Sequence, residues 1–311
     1  MYIHGMKSSA VVKDNVEIES DGPCWFRVPP HKIKQKREKT KERKREEEKL
    51  RSIQRQPPPF KTMATPAVAE GVSAAAVTAL RAVLRRAHQA AERSGRRPEG
   101  VRVVAVGKTK PVSLIRQLYD AGHRCFGENY VQEIVEKAPQ LPSDIEWHYI
   151  GHLQSNKAKS LLASVPNLDM VQSVDNEKIA NYLDKAVAGL GRKPLKVLVQ
   201  VNTSGEESKS GINPSNCVEL AKHVKYSCPN LIFSGLMTIG MRDYSSKPEN
   251  FQALSKCREE VSKALELPQE QFELSMGMSG DFEQAIEMGS TNVRIGSIIF
   301  GPREYPNRKQ A

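Results

Sequence analysis

Eight short apolar runs, separated by stretches with helical spacing, leave a chain like this few ways to fold. The runs are Val101–Val106, Arg124–Gly127, Glu146–Ile150, Met170–Val174, Lys196–Val201, Ile232–Ile239, Phe272–Met276 and Val293–Phe300. Helical patterns fill gaps between them at Val112–Ala121, Tyr130–Ala138, Asn176–Leu190, Pro214–Tyr226, Asn250–Leu265 and Asp281–Met288. Strands joined through helices pair in parallel, and eight such units in about 240 residues fit a closed (β/α)8 TIM barrel better than an open sheet. A lead-in helix over Val72–Ala91, with Val77, Leu80, Val83, Leu84 and Ala87 at helical spacing, ends near Ser94-Gly95. Asp175 and Asp281 stand where a helix start takes a cap or a first-turn acid, and Gly289 where a helix stops.

Ahead of the barrel lies another kind of sequence. His31–Arg55 is almost unbroken Lys, Arg, Glu and Gln, and Pro57-Pro58-Pro59 follows. Such a composition buries too little apolar surface to offset its ordering entropy. The net charge of +11 concentrates there: residues 1–62 carry 16 basic and nine acidic side chains, the remaining 249 carry 31 and 27. We therefore expect two parts, a disordered basic extension (1–62) and a single barrel domain with its lead-in helix (63–311). A basic arm for nucleic acid and an organellar targeting peptide are the functional readings of the extension. Nine acidic residues weaken the second, and charge runs are usually only solvated, so nucleic acid is not an expected partner. The simplest reading takes Met63-Ala64-Thr65-Pro66 as the usual start. No apolar run is long enough to span a bilayer, so no membrane partner is expected. Five scattered cysteines without a C-x-x-C pair read as reduced, buried thiols rather than a disulfide frame or zinc site. That favours the cytoplasm, with an organellar form left open.

In a barrel of this kind, chemistry collects where strands end and βα loops begin. The first strand runs into Gly107-Lys108-Thr109-Lys110-Pro111. A lysine entering the barrel mouth is partly desolvated, and burial lowers a lysine pKa toward the neutral amine that a Schiff base requires. A lone K-x-K is more often two surface lysines, but Lys108 follows an apolar strand directly, with Gly107 leaving room for a ligand. Lys110 reads as exposed, or as a phosphate partner. The seventh strand runs into Met276-Gly277-Met278-Ser279-Gly280-Asp281, and the eighth contains Arg294-Ile295-Gly296-Ser297. Glycines, hydroxyls and a helix start offer several N–H donors to an anion, at the loops where barrels often seat a phosphate. Either segment alone is an ordinary tight turn. Together with Lys108 they point to a phosphorylated aldehyde.

The ordered series of segments is specific. Lys108–Pro111, Phe126–Tyr130, Trp147–Gln154, Val201–Lys209, Gly235–Gly240, Leu274–Asp281 and Ser290–Gly296 resemble the pyridoxal phosphate homeostasis proteins (the YggS/PROSC family), whose barrel is similar to the N-terminal domain of alanine racemase. The resemblance implies pyridoxal 5′-phosphate as cofactor, held as an aldimine on Lys108. It further implies that Ser279, with backbone around Gly296 and Ser297, holds the phosphate. Arg294 would face the pyridine nitrogen, and Asn129 and Met237 would line the cofactor. Many relatives have Ser where this chain has Gly107; a small residue is kept.

His148 reads as a satisfied core residue and His152 as a polar group on a loop top. An arginine opposite the ring nitrogen cannot accept its proton, which weakens carbanion chemistry. Only eleven residues follow Phe300, so no second domain is expected over the barrel mouth and a monomer is expected. The expected function is non-catalytic: storage, delivery or scavenging of pyridoxal phosphate, with apo-enzymes that use it as partners. A weak amino-acid racemase is the alternative.

Overall fold

Strand β1 (Arg102–Val106) runs parallel to both β2 (Cys125–Glu128) and β8 (Asn292–Ile295), which closes the sheet on itself. The ring continues in sequence order through β3 (Glu146–Tyr149), β4 (Leu168–Val174), β5 (Leu195–Gln200), β6 (Leu231–Met237) and β7 (Glu273–Ser275). This computed structural model describes residues 66–206, 210–240 and 248–302. The basic extension expected over residues 1–62 lies outside them.

The period-two alternation of the strands divides the core. Val103 and Ala105 of β1, with Phe126, Trp147, Val171 and Val197, face the helices in one large apolar cluster. Met170, Leu198 and Met237 form a separate apolar cluster. The buried polar side chains include His148, Gln172, Ser275 and Arg294, one from each of β3, β4, β7 and β8.

The lead-in helix α1 spans Pro66–Arg93. Its buried stripe of Ala76, Leu80, Val83, Ala87 and Ala90 belongs to the main core. Arg86 and Arg93 pair with Glu283 and Glu287 at 2.6 and 2.7 Å. These bridges are exposed and contribute little; the apolar stripe fixes the helix. Around the barrel follow α2 (Val112–Asp120), α3 (Val131–Lys137), α4 (Ala158–Ser164), α5 (Glu177–Gly189), α6 (Cys217–Ser227), α7 (Pro248–Leu265) and α8 (Phe282–Glu287).

Four local expectations change. The run Val293–Phe300 is not one strand: β8 ends at Ile295, and Ser297–Phe300 forms a short helix, α9. Its Ile299 and Phe300 are buried in the main core, so apolar content there reflects burial and not sheet pairing. Between β3 and β4, α4 forms from the short AKSLLAS segment without an anticipated helical pattern. Asn176, not Asp175, caps α5, accepting from the Ile179 N–H at 2.9 Å. Asp281 sits at the N-cap of α8 but turns its carboxylate back to the Met278 N–H at 2.6 Å.

Candidate functional site

A cavity of about 170 Å³ opens at the C-terminal ends of the strands. It is walled by Val106, Lys108 and Lys110 from the β1 end, Asn129 after β2, and Ile150 after β3. Ile239 follows β6, Met278 and Ser279 follow β7, and the β8 region supplies Arg294, Gly296, Ser297, Phe300 and Gly301. Six of the seven residues singled out from sequence therefore meet at one cavity. Met237 is not among the lining residues; it packs inside with Met170 and Leu198.

Each wall has a local cause. Lys108 is half-buried in a turn in which the Lys110 N–H donates to the Gly107 carbonyl at 3.0 Å. Lys110 reaches the Pro302 carbonyl at 2.6 Å, which ties the loop after β1 to the segment after β8. Asn129 is set by close backbone approach: a Cβ on Gly151 would lie 1.9 Å from the Asn129 carbonyl oxygen, so only glycine fits there. The buried Asn129 Oδ1 has no hydrogen-bond partner among the described residues. An unpaired buried acceptor is costly.

The opposite wall is a pair of turns. Gly277 has φ of +95°, and a Cβ there would meet the Ala285 Cβ at 2.5 Å. Ser279 Oγ accepts from the Gly296 N–H at 3.3 Å, which ties the turn after β7 to the start of α9. Small residues and turn amides of this kind suit an anion.

Arg294 is buried and donates to Ser275 Oγ at 2.5 Å and to the Thr238 carbonyl at 2.7 Å. Burial lowers its pKa to about 10, against the attraction of Asp281, so it remains a cation at neutral pH. Ser275 in turn donates to Gln172 Oε1 at 2.6 Å, and the Gln172 amide meets His148 Nδ1 at 2.7 Å. His148 Nε2 lies 3.5 Å from Cys125 Sγ and 3.6 Å from Asp169 Oδ2. Burial opposes the charged imidazole, but Cys125 and Asp169 outweigh it and raise its pKa to about 9. His148 is thus a satisfied interior residue, as read from sequence. His152, largely exposed, sits 3.4 Å from Asp175.

Behind the Lys108 turn stands a group that sequence reasoning did not single out. Lys137 Nζ contacts Glu128 Oε1 at 2.8 Å and Glu133 Oε2 at 2.6 Å. Burial pushes the Glu128 carboxyl up to about 7, with Lys137 opposing. The only trace of this in the sequence is the i, i+4 spacing of Glu133 and Lys137, which on most helices marks a surface pair. The apolar wall residues Val106, Ile150, Ile239 and Phe300 were likewise not chosen, because an apolar strand end looks the same whether it meets a ligand or a neighbour. Among the described residues no cluster suited to a metal occurs, and no helix is long and apolar enough to cross a membrane.

Residues 77–304 match the family described as alanine racemase, N-terminal domain. A pyridoxal phosphate homeostasis protein of Homo sapiens is 50% identical over 241 residues, 74% of this chain and 87% of that protein. The structure of PipY from Synechococcus elongatus with PLP bound aligns at a TM-score of 0.58 and 33% identity, covering 70% of this chain and 100% of PipY. An alanine racemase from Bartonella henselae shares the fold at a TM-score of 0.55 and 15% identity, over 75% of this chain and 61% of the racemase.

Proposed function

Because this chain belongs to the family of pyridoxal phosphate homeostasis proteins, with a barrel of the alanine racemase N-terminal type, we propose that it binds pyridoxal 5′-phosphate and stores, delivers or scavenges it inside the cell. The observation that carries the reading is the convergence of a half-buried lysine, the Ser279, Gly296 and Ser297 turns and the Arg294 cation on one cavity.

In this reading Lys108 holds the aldehyde carbon as a Schiff base, its neutral amine adding to the carbonyl as water leaves. Ser279, with the amides of Gly296 and Ser297, holds the phosphate. Arg294 faces the pyridine nitrogen, Asn129 lines the cofactor, and Met237 backs the site from the barrel interior. When bound, the cofactor supplies an aldehyde on an electron-withdrawing ring.

Arg294 favours a carrier over a catalyst. It is cationic and already donates to Ser275 and Thr238, so it has no lone pair with which to keep a ring nitrogen protonated. The titratable groups among the cavity-lining residues are Lys108, Lys110 and Arg294. Racemisation needs acid/base groups on two faces of an amino-acid adduct, and Lys110 is engaged with Pro302.

The protein acts in this account as a monomer in the cytoplasm, passing cofactor to apo-enzymes. Among the described residues four buried free thiols, Cys125, Cys217, Cys228 and Cys257, suit a reducing compartment. The test pairs two assays on the loaded protein: activation of an apo-enzyme that requires pyridoxal phosphate, and entry of solvent deuterium at Cα of alanine or serine. Activation without isotope entry is expected. Lys108-dependent isotope entry would instead establish the racemase.

A further inference from the structure

The turn that carries Lys108 is held from outside the cavity. Lys108 and Thr109 are the central residues of the Gly107–Lys110 turn, and Thr109 has φ of 62°. That position suits glycine or asparagine, and a β-branched residue is strained there. Such strain persists only where the surroundings over-determine the backbone.

Two side chains of α3 do so. Lys137 Nζ donates to the Gly107 carbonyl at 2.9 Å. Glu133 Oε2 accepts from the Thr109 N–H at 2.8 Å and from Lys137 Nζ at 2.6 Å. The Gly107 carbonyl belongs to the peptide before Lys108 and the Thr109 N–H to the peptide after it. One ion pair therefore fixes both peptide planes that flank the Lys108 Cα. Glu128, fully buried on β2, seats the Lys137 ammonium at 2.8 Å. Neither Glu133 nor Lys137 lines the cavity.

We propose that Glu133 and Lys137, seated by Glu128, are positioning residues that clamp the Lys108 backbone so that its amine meets the aldehyde of the ligand. The inference rests on the cofactor reading above. It also separates from a merely structural ion cluster, whose loss would weaken every ligand of the cavity alike. A clamp on Lys108 matters only for a ligand that bonds to the lysine.

The experiment compares two ligands on the full chain by equilibrium binding: pyridoxal 5′-phosphate, and pyridoxine 5′-phosphate, which has CH2OH in place of the aldehyde. Glu133 is partly exposed, so Glu133→Ala is the first variant, with thermal unfolding as the check on its fold. It should weaken pyridoxal phosphate about tenfold, the size expected for one hydrogen bond to a charged group, while pyridoxine phosphate is held as by wild type. Glu133→Gln keeps an acceptor at the same reach and should recover most of the loss. Should Glu133→Ala fail to fold, Glu133→Asp keeps the charge, withdraws it from Thr109, and should show the same selective loss. An equal loss for both ligands, or no loss for either, overturns the clamp. Wild-type protein that binds neither ligand overturns the cofactor reading itself, and the clamp with it.

Discussion

Arg294 Nη1 lies 2.5 Å from the Ser275 hydroxyl, so the cation at the cavity wall is anchored in the polar interior of the barrel. Ser275 is fully buried and also holds Gln172, so its hydroxyl serves two partners at once. Ser275→Ala leaves an Arg294 donor and the Gln172 oxygen without that partner. Loss of such a buried contact costs about 1–3 kcal/mol, which urea unfolding should read directly.

The interior imidazole gives stability a pH dependence with a definite sign. His148 has a pKa of about 9 in the folded protein, against 6.5 for an unperturbed histidine. The folded state therefore binds the proton more tightly. This contribution is fully present below about pH 6.5 and is lost as pH rises through about 9. Glu128, raised from 4.5 to about 7, gives a loss of the same sign over the lower window between those two values. Unfolding midpoints measured from pH 5 to 9.5 should fall through both windows, with His148→Gln flattening the upper and Glu128→Gln the lower.

Gly151 sets Asn129 by leaving it room. In Gly151→Ala the new Cβ would sit 1.9 Å from a backbone oxygen, which cannot yield by side-chain rotation. Overpacking of this kind costs about 1–3 kcal/mol, so the variant should melt lower and bind pyridoxal phosphate more weakly.

Gly107 offers a finer comparison. A Cβ there would meet Ile115 Cδ1, the end of a flexible side chain, at 2.9 Å and Glu128 Oε1 at 3.1 Å. Glu128 Oε2 has no hydrogen-bond partner among the described residues. Serine brings a donor to that carboxylate and alanine does not, so Gly107→Ser should be more stable than Gly107→Ala by about 1 kcal/mol in denaturant unfolding.

The barrel was legible because short apolar runs alternating with helical spacing admit few closed solutions. The cavity was legible because lysine, arginine, serine and glycine at strand ends are a costly choice for packing alone. Lys108, Ser279, Arg294, Gly296 and Ser297 accordingly converge, joined by Asn129, which only the family resemblance had pointed to. The end of β8 was misread because Ile298, Ile299 and Phe300 are good strand formers whose helical state comes from tertiary packing. Met237 was carried over from the family resemblance as lining the cofactor, and its side chain packs with Met170 and Leu198. The Glu128–Glu133–Lys137 cluster escaped notice for a different reason. Its charges have the spacing of a solvated helix face, and burial is what gives them a role.

The most direct measurement is near-visible absorption of the purified protein with added pyridoxal phosphate, followed by borohydride reduction and peptide mapping, on wild type and Lys108→Ala. The expected result is a coloured wild type whose label maps to Lys108, and loss of both colour and label in the variant. A wild type that stays colourless, or a label that maps elsewhere and survives in Lys108→Ala, would contradict it.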